Sequence, residues 1–164
     1  MKMNPDHPSS EAHQALHQAL AEFRHQLRTF LHASETAAQQ AGLHPQQHQL
    51  LLAIAGASPQ ISPSIAYAAD RLGLRHNSVV ELVDRCVTEG LLRRKIDAQD
   101  RRRVCLQVTA KGHRVLDRLS QVHLLELNSL APHLIDALQR VLQNKVKAAH
   151  TARRQKNSER SIHG

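Results

Sequence analysis

The stretch RHNSVVELVDRCVTEGLLRRKIDAQDRRRVCLQVTAKG, residues 75–112, changes its periodicity twice, and those changes decide the fold. It opens as a helix. From about His76–Ser78 onward, Val79, Val83, Cys86 and Val87 fall on an inward face, and Gly90 marks the stop. Leu91–Ile96 and Val104–Thr109 are then short β-capable runs. Between them Asp97, Ala98, Gln99, Asp100, Arg101, Arg102 and Arg103 are turn-rich and charged, so the runs read as a β-hairpin without an Asn-Gly signature. Thr109 is the expected cap of a following helix, whose period returns through Val115, Leu116, Leu119, Val122 and Leu127.

Working outward, Ser10–Ala41 repeats Leu16, Leu20, Phe23, Leu27 and Phe30/Leu31 at spacings of four and three, a long amphipathic helix ended by Gly42. Pro45 suits the first position of a second helix carrying Leu50, Leu51, Ala53 and Ile54 and closing near Gly56. Ser62-Pro63 reads as cap and first turn of a third helix ended at Gly73. Downstream, Pro132 starts or kinks a last helix with Ile135, Leu138, Val141 and Leu142 on one side. From about His150 the chain is polar, basic and aperiodic, which predicts a mobile tail. The predicted fold is mainly α with a small β-hairpin wing: three helices, a recognition-length helix, a basic hairpin and two more helices. That order is the winged helix-turn-helix arrangement, in which one helix enters the major groove and the hairpin reaches beside it.

Composition narrows the function. The length of 164 residues fits one domain. Aromatics make up 2% of the chain (Phe23, Phe30 and Tyr67), which argues against a β-sandwich or barrel and against base-stacking platforms for single strands. No apolar run approaches the ~20 residues of a membrane span, and no signal-peptide pattern is visible. Two cysteines, Cys86 and Cys105, fit a reducing cytoplasm, the expected location. Lys and Arg total 22 against 14 Asp and Glu, a net charge of +8, which makes a polyanion the expected partner. There is no Gly-rich phosphate loop, nucleophile motif or metalloprotease histidine pair, so neither an enzyme nor a cofactor is expected.

The segment Val80-Glu81-Leu82-Val83-Asp84-Arg85, then Glu89-Gly90-Leu91-Leu92-Arg93-Arg94, resembles the MarR family of bacterial winged-helix transcriptional regulators. The resemblance continues through Asp97, Asp100-Arg101-Arg102-Arg103 and Thr109-Ala110-Lys111-Gly112, and upstream through residues 43–52, covering about residues 43–119. It implies a homodimer on a pseudo-palindromic operator, commonly as a repressor, with residues 10–42 and 113–150 forming the dimerisation helices. Residues 43–112 would then form the winged helix-turn-helix and 151–164 the basic tail of a single domain. The residue pattern agrees: the first and last helices carry more apolar face than one small lobe can cover, and two-fold pairing would bury it.

Within that frame His76, Asn77, Ser78, Glu81 and Arg85 of the fourth helix are candidate DNA contacts. Asn can bond both groups of an adenine edge and Glu can accept from cytosine. Asn77 or Ser78 could instead cap the helix. Arg75 stands where the family has a Ser or Thr cap and is a candidate phosphate contact. In the hairpin, six Lys or Arg face two Asp between Arg93 and Arg103. The resemblance assigns Arg102 to the narrow minor groove with Asp100 orienting it, while Arg101 and Arg103 would touch phosphates. The alternative is a solvated hairpin tip. Ser62, Ser64 and Lys111 are further phosphate candidates, Ser62 being better read as a cap of its own helix.

Arg24, Arg28, His48 and His123 are candidate contacts for a small aromatic or anionic effector in a cleft beside the dimer layer. The 13 histidines include an i, i+4 pair, His13 and His17, but no carboxylate and cysteine set accompanies them, so no metal site is expected. His44 replaces the family's customary Thr before Pro45 and reads as a poor cap. Cys86 falls at a core position and reads as a small hydrophobe, with Cys105 in the second wing strand. The alternative functions are a non-specific architectural DNA-binding protein and a helical dimer with a protein partner.

Overall fold

Five helices and one two-stranded antiparallel sheet follow each other as α1 (Pro8–Gln40), α2 (Pro45–Ala55), α3 (Ile65–Leu72), α4 (His76–Thr88), β1 (Leu92–Ile96), β2 (Val104–Val108) and α5 (Ala110–Ile162). The computed structural model describes the backbone of residues 8–96 and 104–162, and the side chains of residues 13–96 and 104–143. Two compact units result. One is residues 32–125; the other joins the chain up to Leu31 with the chain from Glu126 onward. Both α1 and α5 run through the two units.

The 32–125 unit closes its own core. Leu50 and Leu51 of α2, Ala68 of α3, and Val79, Leu82, Val83 and Cys86 of α4 are buried together with Leu91, Leu92, Leu106, Val108, Leu116 and Leu119. Each fully buried leucine contributes about 1.5–3 kcal/mol relative to exposure, so the inward face of α4 is held firmly in the core. Its end is defined by glycine. Gly90 takes φ +69, a left-handed geometry that side chains with a Cβ disfavour. There Gly90 N–H donates to the Val87 carbonyl and Leu91 N–H to that of Cys86, which is a Schellman closure. The strands pair in register from Leu92 with Val108 to Ile96 with Val104.

Several sequence expectations are corrected. The third helix starts not at Ser62-Pro63 but at Ile65, capped by Ser64, whose Oγ accepts from Tyr67 N at 3.2 Å. The reason is tertiary: the Pro63 carbonyl accepts from Leu106 N at 2.7 Å, holding that segment beside β2 rather than in a helical turn. His44 is a working cap. Its Nδ1 accepts from Gln46 N at 3.3 Å, while its own N–H donates to Gln47 Oε1 at 3.0 Å, a reciprocal capping box. The two helices expected after the hairpin are one, with Pro132 inside it. A proline removes one helical donor, but Pro132 and Asn128, whose carbonyl loses its partner, both lie at exposed positions where water can substitute. The segment expected to be an aperiodic tail is helical to Ile162. It holds Ala, Arg, Gln and Lys, which are good helix formers, and meets no Gly or Pro before Gly164.

The other unit is built differently. Among its described residues only Ala19 and Ala137 are buried, while Leu20, Leu27, Leu31, Ile135, Leu138 and Leu142 are exposed. An open groove of about 610 Å³ in this unit is lined by Ala19, Glu22, His133, Asp136, Arg140 and Gln143, among others. No helix among the described residues is long and apolar enough to cross a membrane.

Candidate nucleic-acid interface

The recognition-length helix is two-faced. Val79, Leu82, Val83 and Cys86 are buried, and His76, Asn77, Ser78, Glu81 and Arg85 are exposed on the other side. This split follows from the 3.6-residue period, because the core can claim only one stripe. Asn77 and Ser78 lie inside the first turn, so neither occupies the cap position. Arg75 does, exposed and extended, and its side chain makes no capping hydrogen bond. The first turn therefore keeps backbone N–H groups that no described side chain fills, a geometry favourable to anions.

The wing joins this helix through an ion pair. Arg94 on β1 reaches Asp84 on α4, Nη2 to Oδ1 at 2.7 Å. Arg93 donates twice to Gln107, its cross-strand neighbour, at 3.0 and 2.8 Å. Two of the six basic residues counted in the hairpin are thus engaged within the protein. Asp100, Arg101, Arg102 and Arg103 lie outside the described residues. The Asp84–Arg94 pair was invisible to sequence reading, because helix and strand meet only in three dimensions.

The phosphate candidates separate. Ser62 is exposed, whereas the Ser64 hydroxyl serves α3. Lys111 Nζ donates to the Glu89 carbonyl at 2.7 Å, at the end of α4.

Gln47 and His48 are the buried polar residues of the described core, side by side in the first turn of α2. Gln47 Nε2 donates to Glu89 Oε2 at 2.9 Å. His48 meets His123 with ring centroids 4.8 Å apart and planes tilted by 47°. Burial, then the neighbouring His123, push the His48 imidazole below its usual pKa. The buried His123 Nε2 has no hydrogen-bond partner among the described residues. Thus two of the four expected effector residues come together. Arg24 and Arg28 are exposed on the α1 part of the other unit. The groove of that unit contains none of the four, and no sequence signal pointed to it. Among the described residues no group of three or more His, Cys, Asp or Glu is arranged to hold a metal ion.

Cys86 is fully buried. Burial, then the charge of Glu89, raise its thiol pKa to about 11, so it packs as a small hydrophobe. Cys105 is partly exposed, and its Sγ donates to the Lys95 carbonyl at 3.2 Å.

Comparison with known proteins agrees with this architecture. Residues 41–103 match the model of the MarR family. A proposed transcriptional regulatory protein for the hcr operon of Thauera aromatica is 30% identical over 115 residues, covering 70% of this chain and 67% of the relative. Among solved structures, the fold is similar to a MarR family transcription regulator at TM-score 0.67 and 16% identity, covering 93% of this chain and 99% of the other. It is also similar to MepR of S. aureus in complex with DNA, at TM-score 0.55 and 18% identity, covering 79% and 96%. With the helix order, the wing and the sequence match in agreement, the chain belongs to the MarR family of winged-helix transcriptional regulators.

Proposed function

We propose that the protein acts as a homodimer that reads a pseudo-palindromic operator in double-stranded DNA and represses transcription there. The observation that carries this reading is the division of α4, which commits one stripe to the core and turns His76, Asn77, Ser78, Glu81 and Arg85 to solvent. Polar residues of these types at an exposed helix start can contact base edges, and the uncapped first turn with Arg75 suits a phosphate. The net charge of +8 favours the same partner. Arg102, oriented by Asp100, would enter the minor groove, with Arg101 and Arg103 on phosphates. Ser62 is an additional phosphate contact in this reading. The MepR–DNA complex shows a relative of the same fold on DNA.

Dimer formation is supported by the open apolar faces of α1 and α5, which a second copy would cover. A small aromatic or anionic effector would act through His48 and His123, binding more tightly to an arrangement that no longer fits two half-sites. The His48–His123 contact supports that part of the reading.

Selection of duplexes from a random pool at about 0.15 M salt tests the proposal. The expected product is an inverted repeat with half-site centres about 34–36 Å apart. Tight, salt-sensitive binding without a recovered motif would instead favour an architectural DNA-binding protein.

A further inference from the structure

The residues Thr109-Ala110-Lys111-Gly112 carry part of the family resemblance, and the structure gives them a task at the end of α4. Lys111 Nζ donates to the Glu89 carbonyl at 2.7 Å. Thr109 Oγ1 donates to the Gly90 carbonyl at 2.6 Å and lies 3.2 Å from that of Leu91. The same oxygen accepts from Gly112 N at 3.1 Å, capping α5. Gly112 is where α5 and the hairpin backbone touch. A Cβ there would stand 2.4 Å from the Leu91 carbonyl oxygen and 2.6 Å from a Val108 methyl. Gln47 grips the Glu89 side chain from α2. The end of α4 is thus fastened by α5 and α2 together.

The chemistry fits the place. The last carbonyls of a helix lack internal partners and sit at its negative end, where a cation and a hydroxyl donor both stabilise. The bond to that carbonyl engages one of the three N–H donors of the Lys111 ammonium within the protein.

We propose that Lys111 and Thr109 are positioning residues for DNA reading: they clasp the last turn of α4 to the first turn of α5, so that α5 sets the direction of the recognition helix. The inference rests on the role proposed above for α4, and the test separates the two. Lys111 is exposed, so Lys111→Met removes the clasp without opening the core, and Thr109→Val removes the second donor.

Two readouts are taken on the full-length protein, with melting curves confirming the fold. The first is amide exchange in the free protein at Gly90 and Leu91, whose N–H groups close α4. Faster exchange there in both variants is expected, and unchanged exchange overturns the clasp whether or not the protein binds an operator. The second is operator affinity of Lys111→Met across a salt series. A positioning role predicts affinity reduced by about tenfold at every salt concentration, with parallel log–log lines, because no phosphate contact is lost. A slope smaller in magnitude by about 1.8, the loss of one phosphate contact per protomer in a dimer, would make Lys111 a DNA ligand and overturn the inference. Unchanged affinity would overturn it too. Failure of the wild-type protein to bind any operator would count against the proposed function, leaving the exchange data to judge the clasp.

Discussion

The two units of this chain solve the same problem in opposite ways. Residues 32–125 gather apolar side chains from α2, α3, α4, the hairpin and the start of α5 into one buried cluster. The other unit buries only Ala19 and Ala137 among its described residues and leaves Leu20, Leu27, Leu31, Ile135, Leu138 and Leu142 at the surface. Scattered exposed leucines are ordinary, but apolar residues repeated along the faces of two long helices are not. The first unit can hold a reading head rigid by itself. The second leaves apolar faces uncovered, which a second copy of the chain would cover in the proposed dimer.

The comparison can be broken most severely at α5. Leu138→Asp places a charge on the open face, and we expect the protein to sediment as a monomer, with operator affinity falling by about 10³-fold to the level of random DNA. An unchanged mass and affinity would mean that this face is not the interface. Next is the closed core. Leu50→Ala should lower unfolding free energy by about 2–5 kcal/mol in urea titration, since it leaves a cavity among fully buried neighbours. A loss below about 1 kcal/mol would show a core looser than described.

Smaller is the effect at the reading face. Asn77→Ala should cost about 1–3 kcal/mol of discrimination at one base position while leaving random-DNA affinity and stability intact, measured by competition. A uniform loss on every sequence would contradict base reading.

The smallest effect expected concerns His48. Its folded pKa lies below 6.5, its ordinary value. Between the folded value and 6.5 the unfolded chain therefore binds a proton that the native protein does not. Its contribution to stability is complete above about 6.5 and is lost as the pH falls toward the folded value. His48→Gln should flatten the drop in urea midpoint between pH 7 and pH 5, and an unaltered drop would remove His48 from the account.

Much of the reading head was legible in the sequence. The stripe of α4, its stop at Gly90 and the switch to strands before the charged turn are local signals, and the structure repeats them. Where sequence reading failed, the deciding contact was remote. Ser62-Pro63 reads as the start of the third helix, but the Leu106–Pro63 hydrogen bond holds that segment beside β2 and the helix starts after Ser64. Lys111 reads as a phosphate candidate from its charge, and its bond to the Glu89 carbonyl shows only in the fold. Arg94 looked like part of a free basic run because Asp84 approaches it from another element. Pro132 reads as the start of a last helix or as a kink, and α5 runs through it as one helix where solvent can satisfy the freed carbonyl.

The most direct test of the central claim is the mass of the purified protein by sedimentation equilibrium at micromolar concentration. The account predicts twice the chain mass of 18.4 kDa. A folded, helical monomer with the apolar faces of α1 and α5 left bare would contradict it.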